Sequence, residues 1–449
     1  MGKRILIFLL PLFALSGLAQ ESAKSFRYYD SLTYVQYMEG RWKELIRSGN
    51  AAIREGNDYY YLRLRLGVAW FERQNYLQAA RNFEAAMQMN GNDPFTGEYL
   101  FDCYMSLNRP GEALEVYDKL PSSLKEKLKD SLPRLHSADV SGGLVFSDEP
   151  DKFDHFDLDG DSSYYGEVDL TRDGTDFNAG LSWQFENRIK IYGGYTWIHL
   201  NKNKLVSIGD TLAVDDQYPL DQHQFYLSGF LPLWKGFSVR PAVNYLLDNY
   251  DVVMSQYDSA SNNYDFPVVS NKLNAYIAFL EVMRDFQVVR TGLFGGYSNL
   301  NDRQQIQAGF HLIAYPFGNL DLYLSSRLLD HIVDGDHHFI FEQMVGGRLL
   351  KPLWAEINAT FGEMIDYYEN NAYVVYNFAD QMDFKGGAKL IWTFYPRFTL
   401  SGEYIILHRQ GNYVVYNNIG TDGEYKIVPQ TNTMDFYNQI VILGLNWKF

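Results

Sequence analysis

Three aspartates alternate along Asp157-Leu158-Asp159-Gly160-Asp161-Ser162. Carboxylates on every second residue let a loop wrap a hard cation in oxygen ligands, so Ca2+ is a candidate here, although no cofactor is expected of the chain. The bidentate Glu that completes such a loop is missing at its required spacing and the first glycine comes early, which leaves a solvated acidic loop as the competing reading. Asp330, His331, Asp334, Asp336, His337 and His338 mix the ligand types of a transition-metal site with the composition of an ordinary polar loop. His199, His223 and His408 are candidate bases, but no spacing ties any of them to a Ser and an acid, so no enzyme is expected. Cys103 is the single cysteine, which excludes an internal disulfide framework and reads as a small buried apolar residue of a helix.

Four further charged residues, Arg240, Arg327, Glu356 and Glu403, lie in segments where every second side chain is apolar. Turned into the interior of a barrel they would line the lumen and select a solute. Paired with one another they would only brace a narrow interior.

The elements that must carry them run from about residue 136 to Phe449 and are written in period two. Phe398, Leu400, Tyr404 and Ile406 share one face, with Thr399, Ser401 and Glu403 on the other. Ala355, Ile357, Ala359 and Phe361 alternate in the same way with Glu356, Asn358 and Thr360. One face suits apolar contact and the other water. A soluble sandwich alternates too, but three features select a transmembrane barrel. Short turns, such as Trp234-Lys235-Gly236, Pro316-Phe317-Gly318-Asn319 and Tyr395-Pro396-Arg397, interleave with long polar segments near 201–221, 251–270, 366–380 and 409–432. Aromatic residues gather beside the short turns, among them Trp234, Phe237, Trp354, Phe394 and Tyr395. The last strand sets Phe449, Trp447, Leu445, Leu443 and Val441 on one face, and its terminal aromatic resembles the signal by which barrel assembly machinery recognises its clients.

Counting backward gives thirteen strands, and single-chain bacterial barrels carry an even number. Both 138–147 and 163–171 have strand character, so one of them makes about 14 strands and the other becomes an extra hairpin arm or plug. The mean hydropathy of −0.28 looks soluble, as it does for any barrel whose lipid face is confined to alternate residues. Aromatic residues reach 16%. The net charge of −16 argues against nucleic acid or anionic lipid as a partner over most of the surface.

Ahead of the barrel, residues 1–19 read as a secretory leader: Lys3 and Arg4, an apolar stretch from Ile5 to Leu15, and the small-residue end Gly17-Leu18-Ala19. Residues 20–135 are helix-prone and repeat. With Phe26, Tyr60 and Pro94 as equivalent starts, 60 − 26 = 34 and 94 − 60 = 34. Leu66, Gly67 and Trp70 on one helix and Ala79, Phe83 and Ala86 on the next supply the small-against-large packing that lets paired helices approach. This segment resembles the tetratricopeptide family, which implies an all-α scaffold binding proteins or peptides.

The expected fold is therefore multi-domain, with tetratricopeptide-like helical repeats followed by an antiparallel transmembrane β-barrel over 136–449. The order of leader, short repeat block and barrel resembles the YaiO-like outer-membrane proteins, together with strand patterns such as Tyr164-Tyr165-Gly166-Glu167 to Phe177-Asn178-Ala179-Gly180. More distantly it resembles the polysaccharide export porins. The resemblance implies an outer-membrane barrel in contact with lipid, its repeats in the periplasm binding a protein partner in transport, export or an envelope scaffold. The alternatives are a closed, non-conducting anchor for the repeats and an outer-membrane hydrolase.

Overall fold

The computed structural model describes residues 25–91, 93–107, 109–128, 135–152, 163–185, 189–208, 211–234, 236–254, 256–258, 263–286, 288–377, 380–418 and 427–449. The leader and the alternating aspartates Asp157, Asp159 and Asp161 lie outside these residues.

Among the described residues, seven helices precede the barrel: α1 (Phe26–Met38), α2 (Trp42–Arg54), α3 (Tyr60–Glu72), α4 (Tyr76–Met89), α5 (Pro94–Ser106), α6 (Pro110–Tyr117) and α7 (Ser122–Leu128). The first members of three successive pairs start at residues 26, 60 and 94 and the second members at 42, 76 and 110, so both series advance by 34. Local chemistry sets these starts. Ser25, Asn75 and Asp93 cap α1, α4 and α5 by accepting from backbone N–H groups, and Pro94 and Pro110 occupy first turns, where no N–H is needed. Glycine permits the close approach of the pairs: a Cβ on Gly67 would lie 2.5 Å from the Phe83 ring, and one on Gly49 would lie 2.7 Å from Leu66.

Fourteen strands close the barrel: β1 (Leu135–Ser147), β2 (Ser163–Phe185), β3 (Ile189–Ile208), β4 (Thr211–Pro232), β5 (Phe237–Val253), β8 (Val268–Asp285), β9 (Val289–Ser298), β10 (Gln305–Ala314), β11 (Leu322–Val333), β12 (Asp336–Leu350), β13 (Leu353–Met364), β16 (Gln381–Tyr395), β17 (Phe398–Asn418) and β18 (Ile427–Lys448). All neighbours are antiparallel, and β1 pairs with β18 from Ser137↔Lys448 to Ser147↔Asn438, which leaves no open edge. Two minor hairpins lie in loops, β6 (Gln256–Asp258) with β7 (Asn263–Asp265) and β14 (Tyr367–Glu369) with β15 (Val374–Tyr376). A one-turn helix, α8 (Glu149–Lys152), follows β1.

The parity question has a different answer from either alternative above. Segment 138–147 is the core of β1, and 163–171 is neither plug nor extra arm but the outer extension of the strand that continues to Phe185. Most of the long polar segments are likewise strand: β3 pairs with β4 out to Ile208↔Thr211, and β17 with β18 out to Asn418↔Ile427.

Alternation decides the two faces. On β8, Ala275, Ile277, Phe279, Glu281 and Met283 are buried inward while Tyr276, Leu280 and Val282 are exposed. The outer wall carries Phe339 at 72% exposure, Leu293 at 67%, Ile357 at 66% and Leu443 at 63%. An apolar band of this extent around a closed sheet belongs in lipid, not water. Among the described residues no helix is long and apolar enough to cross a membrane, so the crossing is made by strands.

Candidate functional site: a lumen crossed by a hairpin

The inner wall is built from the second face of each strand, and all four charged residues singled out above lie on it. Arg240 on β5 and Arg327 on β11 converge on a residue the sequence reading missed, Glu281 of β8, which is fully buried. Arg240 approaches it at 3.4 Å, Arg327 at 4.0 Å, and the His311 imidazole of β10 at 2.7 Å. An unpaired carboxylate in such a place is prohibitive, so the three bases and the acid form one unit. Glu356 and Glu403 are not part of it. Glu356 accepts a hydrogen bond from Tyr323 on β11, and Glu403 of β17 pairs with Lys389 of β16 at 2.9 Å. Glu281 carries a readable signal: it is an acid at the inward parity of β8, where its neighbours Leu273, Ala275, Ile277, Phe279 and Met283 are apolar.

Above this layer the loop between β13 and β16 departs from expectation. The stretch 366–380 is read from sequence as an outer loop, yet residues 365–377 fold into the lumen. The β14–β15 hairpin buries Tyr367, Tyr368, Ala372, Val375 and Tyr376 in one apolar cluster with Tyr226, Leu246, Ile277, Phe294, Leu329 and Leu407 of the wall. Burial of this aromatic surface drives the fold inward.

Polar contacts then fix the hairpin to opposite sides of the barrel. At its tip, Asn370, Asn371 and Ala372 have φ of 51°, 60° and 68°. Three consecutive left-handed residues turn the tip sharply, and for Ala372 that conformation costs about 1 kcal/mol, which surrounding contacts must offset. The contacts are specific. Tyr226 Oη donates to the Asn371 carbonyl at 3.1 Å, Asn244 Nδ2 to the Ala372 carbonyl at 2.9 Å, and Arg327 to Asn371 Oδ1 at 2.9 Å. Tyr373 hydrogen-bonds Tyr192 of β3 through the hydroxyls at 3.3 Å and stacks edge-on against it and Tyr226. On the other side, Tyr367 donates to Glu342 of β12, and Glu369 pairs with Lys385 of β16. At the base, Asp366 accepts from Asn301 at 2.6 Å and pairs with Arg303. The hairpin thus spans the lumen from β3, β4 and β5 to β11, β12 and β16. Arg327 joins the tip to the Glu281 layer.

The helices meet the opposite end, at the short turns. Leu77 N–H donates to the Gly318 carbonyl at 3.1 Å, Asn319 Nδ2 to the Gln74 carbonyl at 3.0 Å, and Arg348 to the Gln74 side chain at 2.9 Å. Gly111 lies against Pro232, and Glu112 against Gly236. Burial pushes the Glu112 carboxyl up, Arg109 beside it opposes the rise, and Asp285 across the interface adds to it.

The remaining candidates separate. Leu66, Gly67, Ala79, Phe83 and Ala86 are buried, with Trp70 partly so, between the helices. Cys103 is a buried free thiol. Trp447 stacks on Phe398 at 5.9 Å and on Phe449 at 4.3 Å, while Leu445 is exposed on the outer wall. The His and Asp cluster of the β11–β12 turn does not gather: His337 pairs with Asp330, His338 with Glu363, and His331 with the Ile365 carbonyl. No group of ligands suited to a metal ion occurs among the described residues.

No protein-family model matches the chain. No curated protein matches it. Among solved structures, a Pseudomonas aeruginosa FadL homologue is 7% identical over 70% of this chain and 90% of its own, with a TM-score of 0.44. The Acinetobacter baumannii outer membrane protein Omp33 is 8% identical over 70% of this chain and 99% of its own, with a TM-score of 0.33. A bacterial polysaccharide outer membrane secretin is also 8% identical, covering the same shares, with a TM-score of 0.34. These distant likenesses carry no argument about function; the barrel fold stands on the strand pairing.

Proposed function

We propose that this chain is an outer-membrane barrel held shut by its own hairpin, a platform that displays helical repeats to a protein partner in the periplasm. The observation that carries this reading is the hairpin at 365–377, bonded to both sides of the lumen. The contacts at Gln74, Leu77 and Gly111 support it, because they seat the helices on the short turns rather than leaving them on a free tether. Short turns and both barrel ends face the periplasm in barrels of this kind, which supports a periplasmic position for the helices. The pairing of Arg240 and Arg327 with Glu281 favours a braced interior over a selective ring of charge. The tetratricopeptide and YaiO-like resemblances agree with a protein-binding scaffold, and barrel assembly machinery and lipid are the remaining partners.

Recording from the purified protein in a planar bilayer tests the platform reading. A silent barrel supports it; steady openings refute it. A second reading, a gated conduit for export with polysaccharide as one cargo class, is favoured by the polar nature of the anchors at the hairpin tip, hydrogen bonds that water can replace once the hairpin is released. It requires that a ligand or partner turn the silent barrel into a conducting one.

A further inference from the structure

We infer that the open end of the helical stack, the outer face of α1, is a docking site for one amphipathic helix of a partner protein. The inference rests on the reading of the repeats as protein-binding and says where and how they bind. Its argument comes from the repeat itself. A shift of 34 residues superposes Leu32 on Leu66 and Leu100, and Val35 on Ala69 and Cys103. In the second and third units these side chains are all but fully buried: Leu66, Ala69 and Cys103 at 0% exposure, and Leu100 at 4%. What covers them is the second helix of the preceding unit. Leu45, Ile46 and Ala52 of α2 lie in one cluster with Leu66 and Ala69, and α4 covers α5 in the same way.

The first unit has the same face, and Val35 is 44% exposed on it. Ser25, Arg27, Tyr28, Ser31, Leu32 and Val35 line a groove there of about 540 Å³. Terminal repeats ordinarily present a polar outer face, because an apolar one is insoluble without a neighbour. This end is apolar and continuous with the packing interface that runs through the stack.

That continuity specifies the occupant. Each covering helix presents apolar or small residues at i, i+1, i+4 and i+7: Leu45, Ile46, Gly49 and Ala52 in α2, then Ala79, Ala80, Phe83 and Ala86 in α4. A partner helix with the same stripe continues the stack by one layer. Where it follows α2, with a small residue at i+4, that residue faces Leu32 as Gly49 faces Leu66.

The test uses the full chain from Gln20 in detergent and, as probe, a fluorescein-labelled synthetic peptide of residues 41–55, the α2 template. Saturable binding by anisotropy, weakened at least tenfold by Val35→Glu and unchanged by Met89→Glu on α4, is the expected result. Val35→Ala, which removes contact without adding charge, should weaken binding less. Absence of saturable binding at about 1 mM peptide, the weakest affinity worth assigning, overturns the proposal, as does equal binding by Val35→Glu. Light scattering that shows a dimer, made monomeric by Val35→Glu, overturns it in favour of a second copy. Tighter peptide binding by a chain beginning at Ser25 overturns it in favour of the chain's own leading segment. Bilayer conductance is unaffected by any of these outcomes, so failure here and failure of the closed-barrel reading are separate results.

Discussion

Two substitutions at the hairpin tip test whether the lumen is closed by the contacts described. Tyr226→Phe removes the donor to the Asn371 carbonyl, and Asn244→Ala removes the donor to the Ala372 carbonyl. Neither residue belongs to the hairpin, so its sequence is intact. Each change leaves a buried carbonyl without its partner at a cost of about 1–3 kcal/mol, whereas in the released hairpin the same carbonyl is hydrated at no cost. The two sites are adjacent and do not add fully, so about 2–4 kcal/mol is the sum to expect. At tenfold per 1.4 kcal/mol, the released population rises by about 30- to 700-fold. Single-channel recording should then show a silent parent and brief openings in the double variant. Excision of residues 366–377, with Gly-Gly in their place, should open the lumen permanently. Met364 and Met382 face each other across β13 and β16, so the shortened loop is easily closed. An excised barrel that keeps its strand content by circular dichroism yet stays silent would refute the assignment of the hairpin as the closure.

Three further outcomes follow from the same geometry. Gly318 has a φ of +68°, and a Cβ there would lie 2.8 Å from both Leu77 Cβ and Asn75 Oδ1, so Gly318→Val should push the helices off the turn. The cost is about 1–3 kcal/mol from overpacking, with the left-handed backbone adding to it. Hydrogen exchange reads it at the Leu77 amide, and unchanged protection there would show that the turn does not hold the helices. Glu281→Gln leaves Arg240 and Arg327 facing a neutral amide and should destabilise the barrel by about 3–5 kcal/mol. A thermal midpoint equal to the parent's would mean that the arginines are balanced elsewhere. Asp93→Ala removes the cap of α5, which accepts from Thr96 N at 2.8 Å and from Tyr60 Oη at 2.6 Å, and should cost about 1–2 kcal/mol near pH 7. Burial alone would raise the Asp93 carboxyl, but hydrogen bonds from Thr96 and Tyr60 outweigh it and hold the group below its usual range. Its stabilisation is therefore present above the unfolded carboxylate value and lost as pH falls through the folded one. Denaturation of parent and variant at falling pH should show the gap closing; a constant gap would place the effect elsewhere.

The barrel was legible where each strand has lipid on one face and a lumen on the other, since two different solvents impose two different residue sets. Beyond the membrane that contrast ends. On the outer part of the β3–β4 hairpin, Lys202, Asn203 and Lys204 run consecutively opposite Tyr218, Gln217 and Asp216, so the period-two signal disappears while the pairing continues. The same loss divides β2. Between Thr171 and Asp173 its register shifts, and the inward-outward pattern that follows Thr175 cannot be traced back to Tyr165. Parity was a sound argument that one strand was missing; only the register shows that the two remaining candidates lie in different strands. The helical starts were legible for a simpler reason. Caps and prolines act over a few residues, so Phe26 behind Ser25 and Pro94 behind Asp93 declare themselves without any tertiary information, while Tyr60, whose helix has no side-chain cap, is placed by the 34-residue spacing.

The hairpin at 365–377 is hidden in the sequence because the length and polarity of the whole segment are those of an outer loop. Asp366, Glu369, Asn370, Asn371 and Asn377 give the segment the composition of an outer loop, but they are not distributed as in one. Tyr367 and Tyr368 precede Asn370-Asn371-Ala372, and Tyr373, Val374, Val375 and Tyr376 follow it, the pattern of two aromatic or β-branched strands about a left-handed turn. A hairpin so rich in ring surface is unstable alone in water and must find a second surface. Within the barrel, the large apolar surface among the described residues that does not face lipid is the inner wall, where Phe279, Phe294 and Ile405 share one cluster with the hairpin. Those inward apolar residues have no role in a water-filled pore. Their presence on several strands and the aromatic loop between β13 and β16 explain each other, and together they make the inward packing of the hairpin a property of the whole inner wall rather than of one segment.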